Sequence, residues 1–268
     1  LIGTTSSIQG TVVDNATLEF NQASDGTYSD VLSGTGSLEK GGTGTVTLSG
    51  SNTYAGGTTF TGGALSVSAD NNTGTGNWTF GGGSLNVSSG FTTAKTATLG
   101  AGANFDIDAS QTLTMTGVIS STGSLTKLGD GNLSLTAANT YTGGTTVSAG
   151  KLIGTTTSLQ GDITDNATIE FNQSTNGTYA GVVSGSGAFI KSGTGEVTLS
   201  GANVYSGGTT VSGGKLIGTT TSLQGAIANN ATLEFDQSTD GTYSSVMSGS
   251  GSLIKSGSGD VTLSNTNT

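Results

Sequence analysis

Gly123–Gly154 reads GSLTKLGDGNLSLTAANTYTGGTTVSAGKLIG, and the chain repeats it. It recurs as GAFIKSGTGEVTLSGANVYSGGTTVSGGKLIG from Gly187 and as GSLEKGGTGTVTLSGSNTYAGGTTFTGGALSV from Gly36, with a partial copy from Gly251 to Thr268. Between copies lies a second shared block, LIGTTTSLQG, identical at Leu152 and Leu216 and nearly so at Leu1. Self-similarity at a fixed period is the signature of a solenoid, in which each unit buries its apolar face only against its neighbours.

The distances between copies support stacked coils. Gly123 to Gly187 is 64 residues, as is Gly187 to Gly251, whereas Gly36 to Gly123 is 87, an excess of 23. A 64-residue repeat divides into about three coils of roughly 21 residues each. The excess, lying between Leu65 and Gly123, is then one additional coil. The repeat units run over about 1–64, 65–151 (with the extra coil), 152–215 and 216–268 (truncated), in one elongated domain. Roughly 13 coils at about 4.8 Å per stacked strand give a length on the order of 60 Å.

Local patterning agrees. Leu18-Glu19-Phe20, Ile169-Glu170-Phe171 and Leu233-Glu234-Phe235 alternate apolar, charged, apolar, as do Val197-Thr198-Leu199 and Val261-Thr262-Leu263 with Thr at the centre. Alternation at period two predicts strands with one face inward and one in water. The runs are short and bounded by Gly, Asn, Asp and Ser. No proline occurs, so every strand residue can donate to a ladder on either side. The chain reads as all-β, a β-solenoid.

Apolar residues make up only 31% of the chain, and 48 glycines with abundant Ser and Thr push towards disorder. Regular strand spacing argues against disorder: a thin, long core buries few side chains per coil and is stabilised by stacking. Without cysteine there is neither a disulfide framework nor thiolate chemistry. No apolar run is long enough to span a bilayer as a helix, and no signal pattern stands at the start. The chain starts and ends inside repeats and reads as a piece of a longer array. Seventeen carboxylates face seven lysines and no arginine, a net charge of −10. Nucleic acid is excluded as a partner for lack of clustered cations, and an anionic membrane surface is disfavoured for the same reason.

The pattern G-x-L-x-K-x-G-x-G-x-[VL]-[TS]-L-[ST]-x-x-N-x-Y-x-G-G-T-T resembles the autotransporter-associated β-strand repeat, also called the passenger-associated transport repeat. The Lys, the Asn-x-Tyr and the Gly-Gly-Thr-Thr elements recur at fixed offsets; Phe60 replaces Val in the first copy, and Thr136-Ala137 replaces Ser-Gly in the second. The resemblance implies a right-handed parallel β-helix, exported across the outer membrane of a Gram-negative bacterium and displayed extracellularly at the cell surface. It ties the repeats to transport and folding of the passenger rather than to chemistry. Any membrane attachment would run through a C-terminal barrel that this chain does not include.

Four lysines, Lys40, Lys127, Lys191 and Lys255, hold equivalent places. They could form a basic line for anionic glycans, but copies three coils apart would be about 14 Å apart. Turn lysines that solvate the surface and pair with carboxylates are the favoured reading. Tyr54, Tyr141 and Tyr205, each two residues after Asn52, Asn139 and Asn203, and a second set, Tyr28, Tyr179 and Tyr243, could stack on sugars. Inward aromatics with hydroxyls bonded at turns account for both sets. Phe20, Phe171 and Phe235 read as core.

Repeated acids such as Glu19, Glu170 and Glu234 read as surface positions of the unit. The unrepeated pair Asp106 and Asp108 has the spacing for a minimal Ca²⁺ or acid–base pair. Without arginine or histidine, lyase and hydrolase mechanisms lack their usual cationic partners. Zinc has neither His nor Cys to bind it. The single tryptophan, Trp78, lies in the inserted region and is expected to be half-buried in the extra coil. A Thr-x-Thr ice-binding face is disfavoured because the equivalents at 196–198 and 260–262 begin with Glu and Asp.

These readings assign no catalytic, cofactor or metal residue and no enzymatic activity. They lead to a structural stalk or transport-and-folding segment. The alternative is an adhesin segment that self-associates or binds a host surface or glycan through polar side-chain ladders.

Overall fold

The computed structural model describes all 268 residues. The chain is an all-β parallel solenoid of about 13 turns, and its only helix is one 3-10 turn, Asp70–Thr73. It falls into two compact units, Leu1–Gly144 and Thr145–Thr268. Within each, a strand pairs in parallel with the strand one coil before and one coil after. In the first unit Leu18 stands against Leu38, Leu38 against Thr58 and Thr58 against Trp78.

The alternation read from the sequence is the alternation of burial. In Thr17–Asn21, Leu18 and Phe20 point inward and Glu19 outward; Thr45–Leu48, Thr168–Asn172 and Glu196–Leu199 follow the same rule. Because equivalent positions stack, like side chains form columns. Phe60 lies flat on Phe80 with centroids 4.4 Å apart, and Phe80 meets Phe105 at 5.1 Å. In the second unit Phe171, Phe189 and Tyr205 form such a column at 5.3 and 5.6 Å. Offset aromatic stacks of this kind add stability beyond the area they bury.

The 64-residue repeat of about three coils contains one strand position more than three whole coils. In the second unit Ala188–Ser192 lies on a ladder that runs from Phe189 to Thr209, Ile227 and Met247. Three coils therefore end at Met247, six residues short of Leu253, the sequence equivalent of Phe189. Leu253 stands instead on the next face, against Leu233, which stands against Leu216. The first unit shows the same shift. Ser37–Gly41 belongs to the ladder through Thr58, Trp78 and Ala97 to Ile119, while the equivalent Ser124–Leu128 pairs with the later half of Ala97–Ile107. Within each unit the later copy of the motif is thus turned by one of the three faces from the earlier one. The extra residues of the longer interval add one whole coil, the one that opens at Trp78 and closes where Ala97 meets it.

Candidate functional site

Three of the four recurring lysines are inside the solenoid, contrary to the surface reading, and Lys255 alone is exposed. Lys40, Lys127 and Lys191 are fully buried. Alternation dictates this: in Leu38-Glu39-Lys40 the lysine shares the inward parity of Leu38. Each aliphatic stem stacks in the aromatic column, Lys40 between Phe20 and Phe60, Lys127 beside Phe105, and Lys191 between Phe171 and Val211. The ammonium then reaches the turn and donates to backbone carbonyls rather than to carboxylates. Lys191 Nζ donates to Ser192 (2.6 Å), Gly193 (3.0 Å) and, one coil on, Gly213 (3.0 Å). Lys40 Nζ does the same to Gly41, Gly42 and Gly62.

Three acceptors at a turn match the three donors of an ammonium. Burial pushes the Lys40 and Lys191 ammonium groups below the usual lysine range. It pushes Lys127 down to about 8, with Asp106 and Asp130 opposing. The Gly-Gly turn of the motif makes room for this cradle. Gly214 has φ +62°, and a Cβ there would stand 2.9 Å from Lys191 Nζ.

The Asn-x-Tyr element is a staple across three coils. Asn203 Oδ1 accepts from Val183 N–H on the coil before (2.8 Å), and its Nδ2 donates to Ser222 on the coil after (2.7 Å). Asn52 does the same between Leu32 N–H (2.8 Å) and the Asn72 carbonyl (2.6 Å), and Asn139 accepts from Ile119 N–H at 2.8 Å. Tyr54 and Tyr205 are buried, with hydroxyls 2.8 and 2.7 Å from Thr58 and Thr209 of the Gly-Gly-Thr-Thr element. The second tyrosine set is buried too: Tyr28, Tyr179 and Tyr243 donate to the carbonyls of Gly10, Gly161 and Gly225. The inward-aromatic reading of both sets holds.

Sequence reasoning missed one further clamp. Gln22, Gln173 and Gln237 are buried, and each accepts from a threonine N–H of the preceding LIGTT turn, Thr5, Thr156 and Thr220 (2.8, 2.8 and 2.9 Å). The signal was present as the Gln two residues after Phe20, Phe171 and Phe235, an inward parity for a polar residue.

Outside, the repeated acids do lie at the surface. Glu170 pairs with Lys151 at 2.9 Å and accepts from the Ser192 hydroxyl at 2.5 Å. Lys215 bridges Glu196 (2.8 Å) and Glu234 (3.1 Å) on the neighbouring coils. Exposed pairs of this kind contribute little individually.

In the inserted coil Trp78 is fully rather than half buried, edge-on to Phe60 at 6.4 Å, and its Nε1–H donates to Thr73 at 3.1 Å. Beside it Lys95 donates to Asp70 at 2.6 Å, at the wall of an open cleft of about 330 Å³ whose other walls include Asn71, Thr75 and Asn77. Asp106 and Asp108 fall on the outer side of the Ala97–Ile107 strand and its exit, and no third acid joins them in a group that could hold a metal. The structure does bring one unexpected carboxyl inside: Asp165 is fully buried.

The recurring motif side chains therefore bond to this chain's own backbone and to each other, leaving glutamates, hydroxyls and amides to face solvent. Four segments, 38–67, 125–153, 189–217 and 253–268, match the family model described as the passenger-associated-transport-repeat. No curated protein and no solved structure matches the chain.

Proposed function

We propose, from the passenger-associated-transport repeats that this β-solenoid carries, that the chain is a segment of a secreted, surface-displayed autotransporter passenger and serves there as a stalk and folding module. The observation that carries this reading is the inward direction of the motif. Lys191, Asn203, Tyr205 and Thr209 are all buried and bonded to a neighbouring coil, the last two through the backbone of Gln224, so the repeat supplies coil-to-coil cohesion rather than a binding surface. The test is display: the segment, fused ahead of an autotransporter barrel, is expected at the cell surface in a folded, protease-resistant form. A variant carrying Lys191→Asp and Asn203→Asp is expected to reach the surface poorly or as a protease-sensitive chain. Equal display and equal resistance of the two would count against a folding role.

A second reading, adhesion or self-association, is favoured by one outer feature. Thr59, Thr79, Thr98 and Ser120 succeed one another along an outward ladder of the first unit, offering hydroxyls at the strand spacing. Many weak hydrogen bonds between two such ladders would add through multivalency. Cells displaying the segment would then settle faster than cells displaying an unrelated β-helix. Replacing Thr79 and Thr98 by lysine would abolish the difference.

A further inference from the structure

We propose that Asp165 is a proton-operated latch between successive coils, closed as the neutral acid and released as the carboxylate. Asp165 ends the strand Ile163–Asp165 and is fully buried. Its Oδ1 accepts from Ala167 N–H at 3.0 Å, while its Oδ2, also buried, has no partner. Space for the carboxyl is made by Gly187 on the following coil, where a Cβ would stand 2.4 Å from Oδ2.

The missing partner can be read from the next copy of the repeat. Asn229 lies 64 residues on from Asp165 and occupies the same place. Its Oδ1 accepts from Ala231 N–H at 3.2 Å, as Asp165 does from Ala167, and its Nδ2 donates to the Ser252 carbonyl at 2.9 Å. Ser252 is the equivalent of Ala188. Asp165 Oδ2 therefore takes the place of an N–H donor aimed at the Ala188 carbonyl. With a proton it donates there as Asn229 does. Without one, two acceptors face each other in a site closed to water, which is costly.

No cation offsets that charge. The flanking strands Thr145–Val147 and Val183–Gly185 contain no titratable residue. Asp162, before the strand, accepts from Val182 N–H on the outside. On the strands that follow, Glu170 is paired with Lys151, and the Lys191 ammonium is held by its three carbonyls. Burial accordingly pushes the Asp165 carboxyl up to about 6, against an ordinary value of 3.8, with the backbone N–H groups of Ala167 and Ile169 opposing. Asp14, the equivalent in the first unit, is only half buried and keeps contact with water.

The sign follows from linkage. A group that holds its proton more tightly when folded stabilises the fold below its unfolded pKa and loses that contribution as pH rises through its folded one. Equilibrium unfolding in urea from pH 4 to 8, on the wild type, Asp165→Asn and Asn229→Asp, tests the latch. The folding constant of the wild type relative to Asp165→Asn is expected to fall on the order of 100-fold between pH 4 and pH 8. Asn229→Asp is expected to acquire a similar dependence of its own. A wild type to Asp165→Asn ratio that stays flat across this range overturns the proposal. So does an Asp165 side-chain carbon resonance that titrates near pH 4 in the folded protein.

Discussion

The Nζ of Lys191 lies 3.0 Å from the carbonyl oxygen of Gly213, 22 residues along the chain and one coil further on. The same ammonium is bonded to the turn that follows its own strand, so one side chain joins the turns of two coils. The motif spends its most hydrophilic residue on this join, with the stem packed among Phe171 and Val211 and the head satisfied by backbone.

Lys191→Met keeps the stem and removes the head. Three turn carbonyls lose their donor, at an expected cost of about 2–4 kcal/mol. The matching change at Lys255, which is exposed and holds only Ser256 and Gly257, is expected to cost less than about 1 kcal/mol. Urea midpoints of the two variants decide this, and equal losses would mean that the cradle contributes nothing special.

Asn203→Leu fills the same volume and breaks the staple. The Val183 N–H and the Ser222 carbonyl are left buried without their partners, an expected loss of about 2–4 kcal/mol. Amide exchange gives a local readout: Val183 is expected to lose protection by a larger factor than Thr178, one face away. Uniform loss across both would point to a global effect only.

On the acid side Glu170 is the group to watch. Burial raises its carboxyl, but the Ser192 hydroxyl and the Lys151 ammonium outweigh that and hold it below its ordinary 4.5. A depressed folded value means stability that is present above 4.5 and lost as pH falls through the folded value. Glu170→Gln is expected to flatten this acid limb and leave stability above pH 6 within about 0.5 kcal/mol of wild type. An unchanged acid limb would show that the pair with Lys151 is idle.

Whole coils should be removable and partial coils should not. Trp78 stands against Ala97, so deleting 78–96 brings Ala97 onto Thr58 with every later strand still in parity. The shortened chain is expected to keep its β-type circular dichroism and a single unfolding transition. Deleting 78–87, a part of one coil, puts later strands out of step with the faces they pack on. A folded product from the second deletion and not the first would contradict the coil assignment.

Particular residues show what could be read before folding. The Phe20, Phe171 and Phe235 columns, the two buried tyrosine sets and the added coil were legible because period-two alternation and a repeated spacing map directly onto parallel stacking. The lysines were misread even though Leu38-Glu39-Lys40 has the same parity as Leu18-Glu19-Phe20; parity was overruled by the usual exposure of an ammonium. What the parity could not supply was the set of acceptors. Gly213 becomes a partner of Lys191 only when the next coil arrives above it, and Gln173 meets Thr156 only across a turn.

The sequence by itself determined the parallel solenoid, its coil-by-coil extension and which side of each strand faces inward, because these follow from local alternation and from repetition of one unit. The tertiary structure alone decided how the repeat sits on the coil. Whether 64 residues close three coils or overshoot by one face depends on how many residues each turn absorbs, and that is set by contacts between coils: the Lys191 cradle, the Asn203 staple and the left-handed glycine at 214. Alternation turns Asp165 inward with Ile163, but only the stacked coils decided what meets it there, with Gly187 of the following coil leaving room for the carboxyl.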